Sequence, residues 1–347
     1  MDQILIRYSR KDIQQFIRKR EGEEKVGENV LVCLGDWKLS LKKSEARFVV
    51  LGIPEDIGVR ANQGRGGAHT AWRPALDSFL NQQNNAFLSG EDFLILGEIQ
   101  VEDLMLAAEG KSGKEKKDLK DLRELVTELD KRVSEVMQII IAVGKIPIVI
   151  GGGHNNAYGN LKGASLALNQ KVNCINCDPH LDFRSMEGRH SGNGFSYAFE
   201  EGFLNRYAVL CMHEQYNNKA SLEKFRAESQ RLYYTSYEEV FVLEKMNYER
   251  AMDQCLSFLG EGPCGLEIDL DAITNVPSSA KTSSGLSPLE ARQFVYRAAQ
   301  HKNMIYLHLA EAAPVLSHIK ADNKTGKLIA YLISDFVKGH QRKRSAQ

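Results

Sequence analysis

Net charge is missing from this chain: 45 Lys and Arg residues balance 45 Asp and Glu residues. Without a basic excess there is no electrostatic footprint for general binding to nucleic acid or to a membrane surface. Cysteine is scarce, with six in 347 residues, which makes no disulfide framework in a chain of this length. Long apolar runs are lacking too. The longest, roughly residues 139–153, is broken by Gly144, Lys145 and Pro147 and is too short to span a bilayer. The opening MDQILIRYSRKD carries charges and no apolar core, which argues against a signal peptide. The expected location is cytoplasmic.

What is present suits one large α/β domain, with 43% apolar residues to bury. Strand-length apolar runs recur near 47–52, 92–96, 146–150, 171–177, 206–211, 231–235, 265–271 and 303–308. Helical patterns lie between them, near 70–82, 118–143, 156–168, 219–229, 237–259 and 287–300, with a last one near 326–338. Buried strands alternating with helices imply a parallel sheet covered on both faces. In such sheets ligands bind at the carboxyl ends of the strands. The domain is placed at 46–340, after an N-terminal extension (1–45) and before a basic tail (341–347) read as a frayed end. The extension and the charge-rich stretch 109–121 are read as solvated helix entry or surface loop. Cys174 and Cys177 form a lone CxxC inside a strand-like run, so buried structural thiols are expected rather than a redox or zinc motif.

Six metal-type ligands fall in three short clusters, each closing an apolar run: His154, then Asp178, His180 and Asp182, then Asp269 and Asp271. Alternate side chains of an extended chain point the same way, so 178, 180 and 182 can converge, as can 269 and 271. Carboxylates and imidazoles aimed at one point repel or desolvate one another unless cations neutralise them. Four carboxylates with two imidazoles favour a pair of divalent cations, Mn²⁺ ahead of Mg²⁺ because of the imidazoles; structural zinc would want thiolates. A metal pair about 3.5–4 Å apart shares and deprotonates a water, which makes hydrolysis the natural chemistry.

These motifs resemble those of the ureohydrolase family, which includes arginase, agmatinase, guanidinobutyrase and formimidoylglutamase. The likeness spans roughly 46–338. It rests on GIPEDIGVRANQGRGGAHTAWRPALDSF (52–79), GGGHNNAYGN (151–160), NCDPHLDFR (176–184), EIDLDAI (267–273) and LAEAAP (309–314). The resemblance implies an arginase-like three-layer α/β/α fold with an eight-stranded parallel sheet. It also implies that His154 and His180 each hold one of two Mn²⁺ ions, that Asp178 and Asp269 bridge them, and that Asp271 completes the second site. Asp182 would bind metal and pass a proton to the leaving nitrogen, and Glu311 would pair with the amidino group.

Some positions depart from the family pattern. The third motif usually begins with Ser and continues to Asp-Pro, whereas this chain has Glu267 and then Thr274-Asn275; Gly153 and Asn155 flank His154 where GGDHS is usual. Phe195 stands where arginases place a proton-shuttling His. Formimidoylglutamases are similar to this chain in having SG-x-x-F in that loop and DxR in the second motif. Arg184, two residues after Asp182, then suits a substrate bearing carboxylates. Ser191, Asn193 and His190 are further candidates for substrate contact, and the loop of His213 and Glu214 is within reach.

The expected activity is hydrolysis of N-formimidoyl-L-glutamate to L-glutamate and formamide, a late step of histidine breakdown. The partner is a small amidino compound, with no nucleic acid and no membrane. A homo-oligomer fits the family, although no stretch marks an interface. Three competing readings stay open: another guanidino hydrolase (arginase or agmatinase) releasing urea, a one-zinc deacylase, and a scaffold protein that keeps the fold without turnover.

Overall fold

The computed structural model describes residues 4–317 and 323–345. Among the described residues, ten strands form one sheet: β1 (Leu5–Arg7), β2 (Leu31–Val32), β3 (Phe48–Gly52), β4 (Phe93–Ile99), β5 (Ile146–Ile150), β6 (Val172–Cys177), β7 (Leu204–Met212), β8 (Leu232–Ser236), β9 (Cys264–Asp269) and β10 (Met304–Ala310). They lie in the order β1-β4-β3-β5-β10-β9-β6-β7-β8, with β2 also pairing β4. From β4 across to β8 every neighbour is parallel, and these eight strands are the eight apolar runs of the sequence.

Each central strand is buried on both faces, which is why it reads as a continuous run of Val, Ile and Leu. In β3, Phe48 and Val50 join one apolar cluster while Val49 and Leu51 join the other. Helices Trp72–Leu80, Tyr248–Leu259, Pro288–Ala299 and Lys324–Ser345 cover the first face. Helices Lys116–Ala142, Asn156–Leu168 and Gly194–Glu200 cover the second, completing three layers. All six cysteines are buried and free. Cys174 and Cys177, three apart on β6, pack into opposite clusters, so they cannot pair.

Three segments depart from the sequence reading. The first forty-five residues are not merely a solvated extension. Leu5 pairs antiparallel with Ile99, and Ile13, Val26, Val30 and Leu41 are buried, so this segment covers the edge that β4 would otherwise expose. The helix expected over 237–259 is two pieces, a π-helical turn at Glu238–Val242 and a helix at Tyr248–Leu259. Glu244 at φ +49° breaks the chain direction, and Asn247 restarts it by accepting the Arg250 N–H on its side chain. The basic tail begins inside the last helix, which runs to Ser345; Ala346 and Gln347 lie outside the described residues.

The sheet order decides where chemistry can gather. Strands β5, β10, β9 and β6 are neighbours although far apart in sequence. Their carboxyl ends deliver His154, Glu311, Asp269 and Asp178 side by side.

Candidate metal centre

The turn after β5 needs glycine. Gly151 and Gly152 adopt φ of +86° and +74°, where a Cβ would be strained. Glu55, on the loop after β3, clamps the residues on either side of His154. Its buried carboxylate accepts from Gly153 N (2.9 Å), Asn155 Nδ2 (3.2 Å), Asn156 Nδ2 (2.7 Å), Ile57 N (2.6 Å) and Gly58 N (3.3 Å). Burial raises this carboxyl above its ordinary value in spite of the Gly153 and Asn156 donors that favour its charged form. With the loop held, the His154 ring is directed under the strand ends.

His154 Nδ1 lies 3.1 Å from Asp178 Oδ2, 3.1 Å from Asp182 Oδ2 and 3.3 Å from Asp269 Oδ2. A second group surrounds His180, whose Nδ1 is 3.3 Å from Asp178 Oδ1 and 3.8 Å from Asp271 Oδ2. Asp178 belongs to both groups, one oxygen to each, as a bridging ligand would. Asp269 joins the first group through Oδ2, while its Oδ1 accepts the Asp271 N–H at 2.8 Å. The backbone N–H of His180 donates to Asp178 Oδ1 at 2.7 Å, and Asn176 Nδ2 donates to Asp178 Oδ2 at 3.0 Å.

This donor set fits divalent cations. Both nitrogens of buried His154 and the Oδ1 of buried Asp271 lack a hydrogen-bond partner. Asp271 and Glu311 are pushed well above the carboxylate range, first by burial and then by the Asp269 charge beside them. Asp182 is raised by burial and by the charge on Asp178. Burial would lower His154 and His180, but Asp178 and the other carboxylates outweigh it and raise both. Asp178 goes the other way: burial would raise it, but His154 and His180 outweigh that and hold it below its ordinary range. Raised acids beside imidazoles that resist losing protons mark a cluster short of positive charge. Asp182 and Glu311 also share a backbone peculiarity, with φ of +45° and +66° in the left-handed region that non-glycine residues rarely adopt.

Above the ligands opens a cleft of about 510 Å³, lined among others by His180, Asp182, Asp269, Asp271, Glu311, Arg184 and Ser191. The Arg184 guanidinium donates to Asn62 Oδ1 (2.7 Å) and Glu187 Oε1 (3.2 Å), and its side chain keeps 48% of its surface exposed. Asn62 Nδ2 in turn donates to Ser191 Oγ at 3.2 Å.

Other expected contacts are spent inside the loop. Asn193 Oδ1 accepts from Arg189 Nη1 (2.6 Å) and His190 N (3.0 Å), and its Nδ2 donates to Gly188 O at 2.8 Å. Buried His190 accepts the Gly192 N–H on Nδ1 at 3.1 Å, and burial followed by the Arg184 charge lowers it to about 3. Both residues therefore shape the Ser191–Gly192 turn rather than line the cleft. Phe195 is fully buried, edge-on to His154 at 5.2 Å and stacked on Tyr207 at 4.3 Å, so it walls the His154 ring. His213 is buried between the rings of Tyr216 and Tyr237. Glu214 accepts from Ser236 Oγ at 2.8 Å.

Several site residues escaped the sequence reading. Glu55 and Asn62 were visible only as parts of a motif. Tyr216, stacked on His180 at 5.7 Å between ring centroids, gave no signal in a polar loop. Glu267 and His308 are buried behind His154; their signal was a charged or ionisable residue inside an apolar strand, two positions before Asp269 and three before Glu311.

Residues 46–338 match the sequence profile of the arginase family, and the chain belongs to that family of hydrolases acting on amidino compounds. Among its relatives, formimidoylglutamases from Streptococcus pyogenes are 28% identical over 300 residues, covering 82% of this chain and 82% of theirs. The fold is shared with Bacillus subtilis formimidoylglutamase (TM-score 0.74, 15% identity, 96% of this chain and 99% of that one). It is shared as well with Trypanosoma cruzi formiminoglutamase with Mn2+2 (TM-score 0.67, 21% identity, 87% and 97%). Among the described residues no helix is long and apolar enough to cross a membrane.

Proposed function

We propose that this chain is a formimidoylglutamase, hydrolysing N-formimidoyl-L-glutamate to L-glutamate and formamide with two Mn²⁺ ions. The observation that carries the reading is Arg184: a half-exposed guanidinium on the wall of the cleft whose lining includes four of the six metal-type ligands, His180, Asp182, Asp269 and Asp271. The names of the 28% identical relatives support the same substrate.

His154, Asp178, Asp182 and Asp269 would hold one ion, and His180 and Asp271, sharing Asp178, the other. When bound, such a pair supplies a water deprotonated at neutral pH and an electrostatic sink for charge developing on the substrate. The chain's own residues do the rest. Arg184, steadied by Asn62 and Glu187, has guanidinium donors left to grip a glutamate carboxylate in a forked geometry. Ser191 lines the same wall. The Glu311 carboxylate faces the cationic formimidoyl group and orients its carbon over the ligand cluster. Asp182 takes a proton on its carboxylate and returns it to the glutamate nitrogen as the C–N bond breaks and a C–O bond is made. A carboxylate-free guanidine such as agmatine would leave the remaining Arg184 donors without a substrate carboxylate to grip.

The test gives Mn²⁺-loaded protein N-formimidoyl-L-glutamate, arginine and agmatine in parallel and measures formamide and urea. Formamide from the first substrate alone is expected. Urea as the main product would keep the metal centre and sink the substrate assignment.

A further inference from the structure

One layer below the metal ligands, a second polar row crosses the sheet. Asn176 on β6 is in register with Glu267 on β9, and Glu267 with His308 on β10. All three side chains are fully buried, in strands that are mostly apolar. Such a row costs stability unless each group is satisfied, so its partners are informative. Glu267 is well served. Its Oε1 accepts from Tyr306 Oη at 2.8 Å and from Asn160 Nδ2 at 3.4 Å, and its Oε2 lies 2.6 Å from His308 Nδ1. His308 is itself held through Nε2 by the carbonyl of Gly151, 3.2 Å away, in the turn that leads to His154. Gly265 makes room for this arrangement: a Cβ there would sit 2.2 Å from the Tyr306 ring.

The fourth contact of Glu267 is with the metal centre. Its Oε2 is 3.4 Å from His154 Nε2, an ion-pair contact rather than a formed hydrogen bond, while His154 Nδ1 faces Asp178, Asp182 and Asp269. An imidazole that ligates through Nδ1 carries its proton on Nε2, and a carboxylate placed there fixes both the tautomer and the ring direction. A carboxylate partner also makes the opposite nitrogen a stronger donor to the cation. His308 and Tyr306 hold the Glu267 carboxylate in place, and the His308 ring also meets the His154 ring edge-on, 6.0 Å between centroids.

Resting on the metal-dependent reading above, we infer that Glu267 is a positioning residue which sets the affinity of the His154-side ion, with His308 and Tyr306 as its supports. Only the ion held by His154 should feel it, because His180 lies on the far side of Asp178.

The experiment is calorimetric titration of the metal-stripped full chain with Mn²⁺, for wild type, Glu267→Gln and Tyr306→Phe, with melting of each stripped protein as a control. Glu267→Gln keeps the size of the side chain but presents an amide to His154 and His308. One of two Mn²⁺ dissociation constants should rise roughly 10–100-fold, the range typical for lost outer-shell partners. The other should stay within about threefold, with the melting temperature of the stripped protein close to wild type. Tyr306→Phe should weaken the same ion by less, about 2–5-fold, because it removes only one of the several hydrogen bonds that hold the Glu267 carboxylate.

Superimposed isotherms for wild type and Glu267→Gln would overturn the inference and leave the proposed function standing. Equal weakening of both ions together with a lower melting temperature would overturn it too, since that marks a structural role. Should Glu267→Gln fail to fold, Tyr306→Phe decides, and an unchanged isotherm there overturns the inference. A wild type that takes up no Mn²⁺ removes both this inference and the function beneath it.

Discussion

The Glu311 carboxylate accepts the backbone N–H of His154 at 2.8 Å, across 157 positions of sequence. This bond ties the end of β10 to the loop after β5 and fixes the acid at the edge of the ligand cluster. Only one carboxylate oxygen is engaged, so the other remains for the cleft.

Glu311→Gln keeps an oxygen for the His154 N–H but removes the charge that would meet a cationic amidine. We expect kcat/KM for N-formimidoyl-L-glutamate to fall roughly 10²–10³-fold, the scale of losing one preorganised electrostatic partner. Bound Mn²⁺ should stay at the wild-type level. Steady-state formamide release, with metal analysis of the same samples, checks both halves.

Arg184→Ala removes the guanidinium and leaves the ligands untouched. The lost charge-assisted bonds, about 1.5–3 kcal/mol, convert to roughly a 10–150-fold rise in KM. A small amidine without carboxylates should be turned over no worse by the variant than by wild type. Equal loss on both substrates would mean that Arg184 serves the metal cluster instead.

Gly58→Ala tests the loop clamp. A Cβ at Gly58 would meet Asn155 Oδ1 at 1.9 Å, pushing on the residue next to His154. Overpacking of this kind costs about 1–3 kcal/mol. The variant should melt earlier and bind Mn²⁺ more weakly than wild type, read by thermal melting with and without metal.

His69 and Asp56 make a pH-dependent contribution away from the ligands. His69 Nδ1 lies 2.7 Å from Asp56 Oδ2, which also accepts the Gly67 N–H at 2.8 Å. The bond to Asp56 raises His69 above its ordinary 6.5 despite its partial burial. Burial would raise Asp56, but His69, the Gly67 N–H and Arg60 outweigh it and hold it below its ordinary 3.8. The His69 contribution is therefore complete below about 6.5 and fades as pH climbs through its raised value. That of Asp56 is present above about 3.8 and fades in acid. His69→Gln should lose more stability at pH 5 than at pH 8.5 in urea unfolding; equal losses would show that the pair carries no charge coupling.

The candidate ligands stood out because acidic and imidazole residues cluster directly after apolar runs, although Asp271 lies in a 3-10 turn and Asp182 at positive φ rather than in an extended chain. The eight parallel strands were legible for a related reason: burial on both faces leaves uninterrupted apolar runs. Glu267 and His308 were equally out of place in their strands, yet their meaning depends on cross-strand register, and nothing local in the sequence states which strands are neighbours. The loop hydrogen bonds of Asn193 and His190 were hidden for a different reason. A polar residue in a loop beside a site can face the ligand or brace the backbone, and composition does not separate the two. The first forty-five residues looked solvated because two of their contributions to the sheet are only three and two residues long.

Strand β10 is inserted between β5 and β9, and it is the last strand among the described residues. A chain emerging from the ribosome has therefore displayed every one of its acidic and imidazole metal donors before the piece that seats between them has been made. Until β10 arrives, β5 and β9 are not neighbours and His154 has no fixed distance to Asp269. If the six donors hold cations as proposed, cation capture would report on completion of the whole sheet, and a C-terminally truncated fragment would keep all six donors while having lost the means to bring them together.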